Sequence, residues 1–230
     1  MRVSTSRRKD GFFETFSSGE AGTDLLVAAL RARRSLRING SVLAVLDDET
    51  AAARVSYSEK DRSATESFWG EIVGELEAFL STAPSFLGRP GRRCIFQVQW
   101  LTGREATYWH QDVRWKTHWD VVLFLYVGDR PTPTDLACPA VGPSTDVTPK
   151  EYVKHPNGQP EIHRTTLNGD LTVYRPHIST GDVVVIDNRR VWHRTSPERR
   201  RSGDDVDALL TIRVKFLDPP PTAASSVPQQ

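Results

Sequence analysis

The sequence predicts a mainly β protein in which helices flank an antiparallel double sheet or barrel. Three observations predict this fold class: apolar residues recur with period two from Arg92 onward, strands follow one another without intervening helices, and the clearest amphipathic helix precedes them at residues 64–80. A doubly wound α/β fold would need helices between the strands, so the pattern argues against it. A chain of 230 residues is long enough for one domain of this kind.

The N-terminal segment, residues 1–90, is expected to pack on the core as a mixture of helix and strand. Its predicted elements are a helix over 23–34, a hairpin over Ser35–Leu46 and the helix Ala64–Leu80. In the last of these, Phe68, Ile72 and Leu76 are spaced as one apolar stripe, which is typical of a helix that covers a core. The break at Pro84 to Pro90 is expected to end this segment.

Residues 91–217 are predicted to form the sheet core. The predicted strands are Cys94–Trp100, Val121–Val127, Leu171–Arg175, Val183–Ile186 and Leu209–Leu217. The Pro-rich stretch Arg130–Gly158 lacks clear periodicity, so we expect a lid or surface loop there. Residues 218–230 are rich in Pro, Ser and Gln, and we expect them to form a disordered tail.

Charge and cysteine content narrow the classes of function. Lys and Arg total 30 against 29 Asp and Glu, and this balance is not typical of a nucleic-acid-binding protein. No apolar run approaches the length of a membrane span, and the N-terminus has no signal-like apolar core. Two cysteines do not make a disulfide framework in a chain of this length. We therefore expect a cytoplasmic protein that binds neither membranes nor nucleic acid.

Three residues have the chemistry and placement of metal ligands. His110 and Asp112 lie two apart in an extended segment, so their side chains point to the same side. The predicted strand that Gly181 opens ends shortly before His193, where a side chain can project into a cavity lined by the sheet. Two histidines and one carboxylate, with open positions opposite, are the ligand set of non-haem Fe(II) that activates O2. The alternative is that these are three unrelated surface or turn residues.

The same motifs resemble a known family. The His110-x-Asp112 pair, the run His193-Arg194-Thr195-Ser196-Pro197 after its strand, and the strand Leu209–Arg213 resemble the Fe(II)/2-oxoglutarate dioxygenases over about the C-terminal 140 residues. The phrase from Ile186 to His193 is most similar to the branch that hydroxylates free amino acids. This resemblance implies a double-stranded β-helix (jelly-roll) core, Fe(II), 2-oxoglutarate as co-substrate with O2, and succinate and CO2 as products.

A candidate for binding 2-oxoglutarate is Arg213. Many members of the family place the arginine that binds the far carboxylate at the start of the last strand, where this chain has Asp207. Counted by twos along the strand, Asp207, Thr211 and Arg213 share one face, and a planar guanidinium binds a carboxylate with two hydrogen bonds. The alternative is an ion pair between Arg213 and Asp207 or another acid of the barrel.

Four further residues are candidates for binding co-substrate or substrate. Gln97 and Gln99 lie on the polar face of a strand whose other face is apolar, and they contact the co-substrate if that face lines the interior. An exposed polar face is the alternative. Arg114 and Trp115 follow the metal pair and are candidates for binding the charged group of the substrate. The remaining histidines, at 118, 155, 163 and 177, are interpreted as structural or loop residues.

The predicted function is oxidation, most simply hydroxylation, of a small molecule such as an amino acid or a natural product derived from one. Two alternatives remain at this stage. One is an oxygenase of the same fold that modifies nucleic acid or protein, for which a basic groove with aromatic residues would be expected. The other is a jelly-roll binding module without catalytic activity, for which an incomplete metal site would be expected.

Overall fold

The computed structural model describes residues 13–34, 41–46, 52–57, 67–88, 92–102, 108–114, 117–137, 146–147, 151–154, 160–165, 167–168, 173–196 and 208–217. Its helices are α1 (Ser18–Ala21), α2 (Asp24–Arg31) and α3 (Val73–Phe86), with a helical turn before α3 at 67–70. In this part of the chain no helix combines the length and the apolar character needed to span a membrane.

The strands are numbered in chain order. They are β1 (Phe13–Phe16), β2 (Ser41–Leu46), β3 (Ala53–Tyr57), β4 (Cys94–Thr102), β5 (Trp109–Arg114), β6 (Thr117–His118), β7 (Val121–Tyr126), β8 (Thr134–Ala137), β9 (Asp146–Val147), β10 (Glu151–Lys154), β11 (Pro160–Thr165), β12 (Leu167–Asn168), β13 (Val173–Tyr174), β14 (Val183–Asp187), β15 (Trp192–Thr195) and β16 (Ala208–Phe216).

Two antiparallel sheets form the predicted jelly-roll core. The larger sheet has the order β1-β14-β7-β16-β4-β2-β3, and the smaller has the order β10-β11-β5-β15-β8-β13, with β6 paired to β5. Strands β9 and β12 pair with each other in a short third sheet. Neighbouring strands in the larger sheet, such as β14, β7 and β16, are far apart in the chain, as expected when a chain wraps around two facing sheets.

Side chains on the two faces of the larger sheet enter different parts of the interior. One face, with Phe96, Val98 and Ile212, packs against the helices in the main apolar core. The other face contributes Phe124 and Leu209 to a second cluster, which also contains Leu136 of the smaller sheet. This second cluster therefore lies between the two sheets, in the space that we call the lumen. The alternation along β4, buried and half-buried by turns, follows from this division.

The N-terminal segment extends the larger sheet as well as covering it. Strand β1 pairs with β14, and β2 pairs with both β3 and β4. The predicted helix at 23–34 is present as α2, with Thr23 at its N-cap. Of the predicted hairpin over Ser35–Leu46, β2 is present and residues 35–40 lie outside the described part. Helix α3 continues to Phe86, past the predicted break at Pro84.

The stretch Arg130–Gly158 contains more regular structure than the sequence predicted. Residues Thr134–Ala137 form strand β8, whose side chains are all buried between β15 and β13, and this part is not a surface loop. Strand β10 also lies within the stretch. The sequence pattern failed here because a short strand buried on both faces shows no alternation of polar and apolar residues. The lid remains a prediction for the rest of the stretch, and the tail 218–230 lies outside the described residues.

Candidate metal centre

The three predicted ligands lie together on the lumen face of the smaller sheet. His110 and Asp112 are in β5 and His193 is in the neighbouring strand β15, where it pairs directly with His110. Donor atoms of the three side chains lie within 4.8 Å of one another, and all three residues are buried. Two of them come from one strand at positions i and i+2, and the third comes from the adjacent strand, so the sheet geometry brings them together.

The His110 ring is oriented by a backbone contact. Its Nδ1 lies 3.0 Å from the carbonyl oxygen of Tyr108, which makes Nδ1 the donor and leaves the Nε2 lone pair for a metal. Burial, followed by the proximity of His193, lowers the pKa of His110 from 6.5 to about 3. His110 is therefore neutral at physiological pH, which is the form that binds metals.

The Asp112 carboxylate is held ionised by its neighbours. Burial alone would raise the pKa of this carboxyl, but the Arg213 guanidinium and His193 outweigh burial and keep the pKa below its usual range. Arg213 Nε lies 2.8 Å from Oδ1, and His193 Nε2 lies 3.4 Å from Oδ2. Asp112 is therefore a buried anion at neutral pH, and it faces a guanidinium on one side and a histidine on the other.

These donor atoms fit a divalent metal ion. Asp112 Oδ1 is ion-paired with Arg213, whereas Asp112 Oδ2 and Nδ1 of His193 are buried and make no hydrogen bond within the described part of the chain. Buried polar atoms are nearly always satisfied by a partner, and a cation bound by the carboxylate would provide one here. Two imidazoles and one carboxylate on one face are also the donor set expected for ferrous iron.

The other side of the cluster is formed by the larger sheet. Arg213, on β16, is buried and donates from Nη1 to Gln99 Oε1 of β4 at 3.0 Å. The Thr211 hydroxyl lies on the same face, is buried, and has no hydrogen-bond partner among the described residues. Gln97 pairs with Arg213 across the strands. The polar face of β4 therefore lines the lumen, and the alternative of an exposed polar face is wrong for these half-buried glutamines.

Several predicted contacts lie outside the described residues. They include Asp207, Trp115 and the side chain of Arg114, although the backbone of Arg114 ends β5. The ion-pair partner of Arg213 among the described residues is Asp112, an acid of the barrel. The sequence suggested Asp207 first because that residue lies on the same strand face, whereas Asp112 approaches from the opposite sheet.

Sequence reasoning missed two groups of polar contacts around the strands that carry the candidate ligands. Asn188 is fully buried and makes hydrogen bonds to the backbone of Asp112. On the outer face of the smaller sheet, the buried carboxylate of Asp135 accepts from Arg175 Nε at 2.7 Å and from Arg194 Nε at 3.2 Å. Arg194 also lies over the Trp109 ring, 4.4 Å from its centroid. Their only signal in the sequence is a polar residue next to a predicted strand, which is too common to be selective.

Comparison with known proteins places the fold. No protein-family model and no curated protein sequence matches the chain. Among solved structures, IDO from Bacillus thuringiensis matches 95% of this chain and 99% of its own, with a TM-score of 0.53 and 9% identity. The Fe(II)/α-ketoglutarate-dependent dioxygenase TqaL covers 90% of this chain and 83% of its own (TM-score 0.45, 10% identity). A Pseudomonas putida prolyl-4-hydroxylase covers 94% and 98% (TM-score 0.35, 11% identity). The fold predicted from the resemblance to Fe(II)/2-oxoglutarate dioxygenases is confirmed.

Proposed function

We propose that this protein is an Fe(II)- and 2-oxoglutarate-dependent oxygenase that hydroxylates a small molecule. The observation that carries the proposal is the buried cluster of His110, Asp112 and His193, whose donor atoms lie within 4.8 Å of one another. A neutral histidine and an ionised carboxylate are the protonation states that a divalent metal requires, and the surroundings favour both before any ion arrives.

Each ligand has a distinct role in holding the ion. His110 would bind through Nε2, because its Nδ1 faces the Tyr108 carbonyl. Asp112 would supply the one negative charge, and His193 would complete the face from the adjacent strand. When bound, Fe(II) supplies the oxidising chemistry with O2 and 2-oxoglutarate. The protein's part is to leave the lumen side of the ion open and to keep bulk water out.

Charge balance in the site favours a dianionic co-substrate. Asp112 and Arg213 together are neutral, so a bound divalent cation would leave two uncompensated positive charges in a buried space. Isolated charges are costly in such surroundings, and 2-oxoglutarate carries two negative charges that would balance them. The charge of the described groups at the cluster therefore supports binding of a divalent metal together with a dianionic co-substrate.

Arg213, Gln99 and Thr211 form the proposed binding surface for the co-substrate. The guanidinium uses Nε toward Asp112 and one Nη1 hydrogen toward Gln99, and its remaining hydrogens can bind a carboxylate. The Thr211 hydroxyl, which has no hydrogen-bond partner among the described residues, lies two residues before Arg213 on the same face of β16. We assign Gln97 to the edge of the same surface, because it pairs with Arg213 across β4 and β16.

For the substrate, we propose an amino acid or a natural product derived from one, bound with the help of Arg114 and Trp115. The support is the sequence resemblance from Ile186 to His193 and the position of Arg114 at the end of β5, two residues after Asp112. A cytoplasmic location is part of the same proposal and rests on the composition of the chain.

The direct test is anaerobic titration of the protein with Fe(II) and 2-oxoglutarate, followed by visible absorption. We expect a new absorption band only when both are present, because it requires the co-substrate to chelate the metal. His193→Ala should abolish the band, and His177→Ala, at an exposed histidine, should leave it unchanged. Release of succinate stimulated by an amino acid would then identify the substrate class. Absence of the band from the wild-type protein would refute the proposal.

A further inference from the structure

We propose that Asn188 is a positioning residue for the metal-binding carboxylate, and that it acts by gripping the backbone of Asp112. This inference rests on the proposed metal function of the cluster. Asn188 Oδ1 accepts from the Asp112 backbone N–H at 3.0 Å, and its Nδ2 donates to the Asp112 carbonyl oxygen at 2.8 Å. The same Nδ2 donates to the Trp119 carbonyl oxygen at 3.0 Å. Asn188 thus uses both amide hydrogens and is fully buried.

The position of these bonds in the sheet explains what they do. Strand β15 pairs with β5 at His110, and this is the described pairing between the two strands. Two residues further along β5, at Asp112, the Asn188 side chain takes part of the place of a neighbouring strand, beside Trp119, whose backbone N–H also donates to the Asp112 carbonyl oxygen at 3.3 Å. Its carboxamide presents a C=O and an N–H to the N–H and C=O of one residue, as a backbone neighbour does in a hydrogen-bonded pair of an antiparallel sheet. The side chain therefore extends the sheet at the residue where the carboxylate must be held.

Asn188 lies in the chain between β14 and β15, close to the strand that carries His193. Asn188 directly follows β14 and begins the turn that leads to His193 on β15. Its own backbone N–H donates to the Asp120 carbonyl oxygen at 3.2 Å, which fixes the turn to the segment after β6. The Asn188 side chain consequently links the strand that carries Asp112 to the turn that precedes His193. These hydrogen bonds therefore restrain the position of Asp112 relative to the turn that precedes His193.

A metal ion tolerates little displacement of its ligands, so loss of this link should appear as weaker metal binding. Residues behind the ligands commonly change metal affinity by about 10- to 100-fold. A purely structural role predicts a different result: a lower melting temperature with unchanged metal affinity in the folded protein. The two roles can therefore be separated by measuring both quantities on the same variants.

The experiment measures Mn(II) binding to the metal-free protein by calorimetry, without co-substrate or O2, at a temperature where each variant is folded. The variants are Asn188→Ala, Asn188→Leu and the matched control Thr23→Val. Thr23 is equally buried, and its hydroxyl donates to the Gly181 carbonyl oxygen at 2.7 Å, at the opposite end of β14 from Asn188. We expect both Asn188 variants to bind Mn(II) about 10- to 100-fold more weakly and the control to bind within twofold of wild type.

The outcomes distinguish this inference from the proposed function. Asn188 variants that bind Mn(II) like the wild type, or a control that weakens equally, would overturn the positioning role alone. A wild-type protein that binds no Mn(II) would overturn the proposed function and this inference with it. If neither Asn188 variant folds, hydrogen exchange in the wild-type protein tests whether Asn188 holds the Asp112 backbone. The Asp112 backbone N–H should exchange slowly before metal is added, and fast exchange would overturn the role.

Discussion

At the scale of single residues, the three proposed metal ligands differ in what they contribute to the stability of the protein. His193 also contacts the Asp112 carboxylate, but of the three residues it is Asp112 that balances the buried cation of Arg213. Removing either histidine should therefore remove metal binding with the fold retained. Removing the Asp112 carboxylate should also leave the Arg213 guanidinium buried without a counter-charge, which destabilises the fold.

We predict that His110→Ala and His193→Ala remain folded and bind no Mn(II), while Asp112→Ala loses metal binding and about 3–5 kcal/mol of stability. Adding Arg213→Met to Asp112→Ala should recover part of this loss, because the double variant buries no unpaired charge. Thermal unfolding and calorimetry check both parts. If two of the three single variants keep wild-type Mn(II) binding, the ligand assignment is wrong.

The pKa of His110 predicts a pH dependence of stability in the metal-free protein. In the unfolded chain this histidine takes up a proton as the pH falls through 6.5, whereas in the folded protein it stays neutral until about pH 3. Protonation therefore favours the unfolded state, and stability falls as the pH is lowered between these values. The slope from one such group is about 1.4 kcal/mol per pH unit.

The window between pH 6 and pH 4.5 isolates this effect, since the Asp112 carboxyl is ionised in both states there and loses its stabilising contribution only in stronger acid. Melting curves of the wild type should shift downward across the window. His110→Gln should show a shallower slope by about one proton. His177→Gln, at an exposed position, is the control and should keep the wild-type slope. Equal slopes in all three proteins would contradict a neutral buried His110.

The sequence predicted which three side chains would be candidate metal ligands, and it did not predict the residues that contact them. The spacing of His110 and Asp112 is local, so strand periodicity alone places both side chains on one face. Their contact with Arg213 depends on how two sheets face each other, and that is not a local property. The role of Asn188 depends on where β14 ends and β15 begins relative to Asp112, and sequence patterns do not determine these boundaries to within one residue.

At the scale of elements, the start of β14 depends on a glycine. Gly181 has a φ of 92°, a conformation that L-residues with side chains rarely adopt. A Cβ added there would lie 2.8 Å from the Cβ of Ser18 in α1. The close approach joins α1 to β14, and the Gly181 N–H donates to the Tyr126 carbonyl oxygen at 2.7 Å. The glycine that opens β14 is therefore also a packing contact with α1.

We predict that Gly181→Ala destabilises the protein by about 1–3 kcal/mol, through backbone strain and the contact with Ser18. Gly74→Ala is the matched control, because that glycine lies in the first turn of α3 with nothing within 4 Å of an added Cβ. It should leave stability unchanged or raise it by about 0.5 kcal/mol. Denaturant titration of both variants checks the contrast, and a neutral Gly181→Ala would refute it.

The exposed edge of the larger sheet is protected by helix α3. Backbone N–H groups of Ala53 and Val55 on β3 donate to Ser81 Oγ and Glu77 Oε1. An edge strand with free N–H groups invites pairing with another chain, and these side chains prevent it at two positions. The sequence predicted the helix and its apolar stripe. It did not predict that polar residues of α3 would bond to a strand edge, because that requires the relative placement of the two elements.

At the scale of the whole molecule, the site lies where the two sheets meet. The proposed metal ligands come from the smaller sheet, and Arg213, Gln99 and Thr211 come from the larger one. The Phe124 ring of the larger sheet also lies 5.2 Å from the His193 ring. Periodicity predicted an antiparallel double sheet or barrel because strand alternation is strong, and the family resemblance implied the jelly roll. Periodicity did not predict β8, which is buried on both faces, and as a result it placed the boundary of the loop too early.

Because the site spans both sheets, ligands that bind there should stabilise the entire fold. We expect the effect of 2-oxoglutarate to depend on whether the metal is already bound. Mn(II) at about 100 times its Kd should add about 2.7 kcal/mol, or roughly 5–10 °C in Tm for a chain of this size. Co-substrate alone should add nothing, because the Asp112–Arg213 pair is already neutral. With Mn(II) present, 2-oxoglutarate should raise Tm further, and glutarate, which lacks the 2-oxo group needed for chelation, should raise it less.

Variants of Arg213 test which part of this stabilisation belongs to the co-substrate. In Arg213→Met, Mn(II) should still raise Tm, since one fewer positive charge faces the ion. The further rise in Tm on adding 2-oxoglutarate should be lost. Arg213→Lys should recover only part of it, because an ammonium lacks the planar fork that binds a carboxylate twice. Arg189→Met, at an exposed arginine paired with Asp120, is the control and should keep both increments. A full 2-oxoglutarate increment in Arg213→Met would restrict Arg213 to pairing with Asp112, and Arg114 would become the next candidate for binding the far carboxylate.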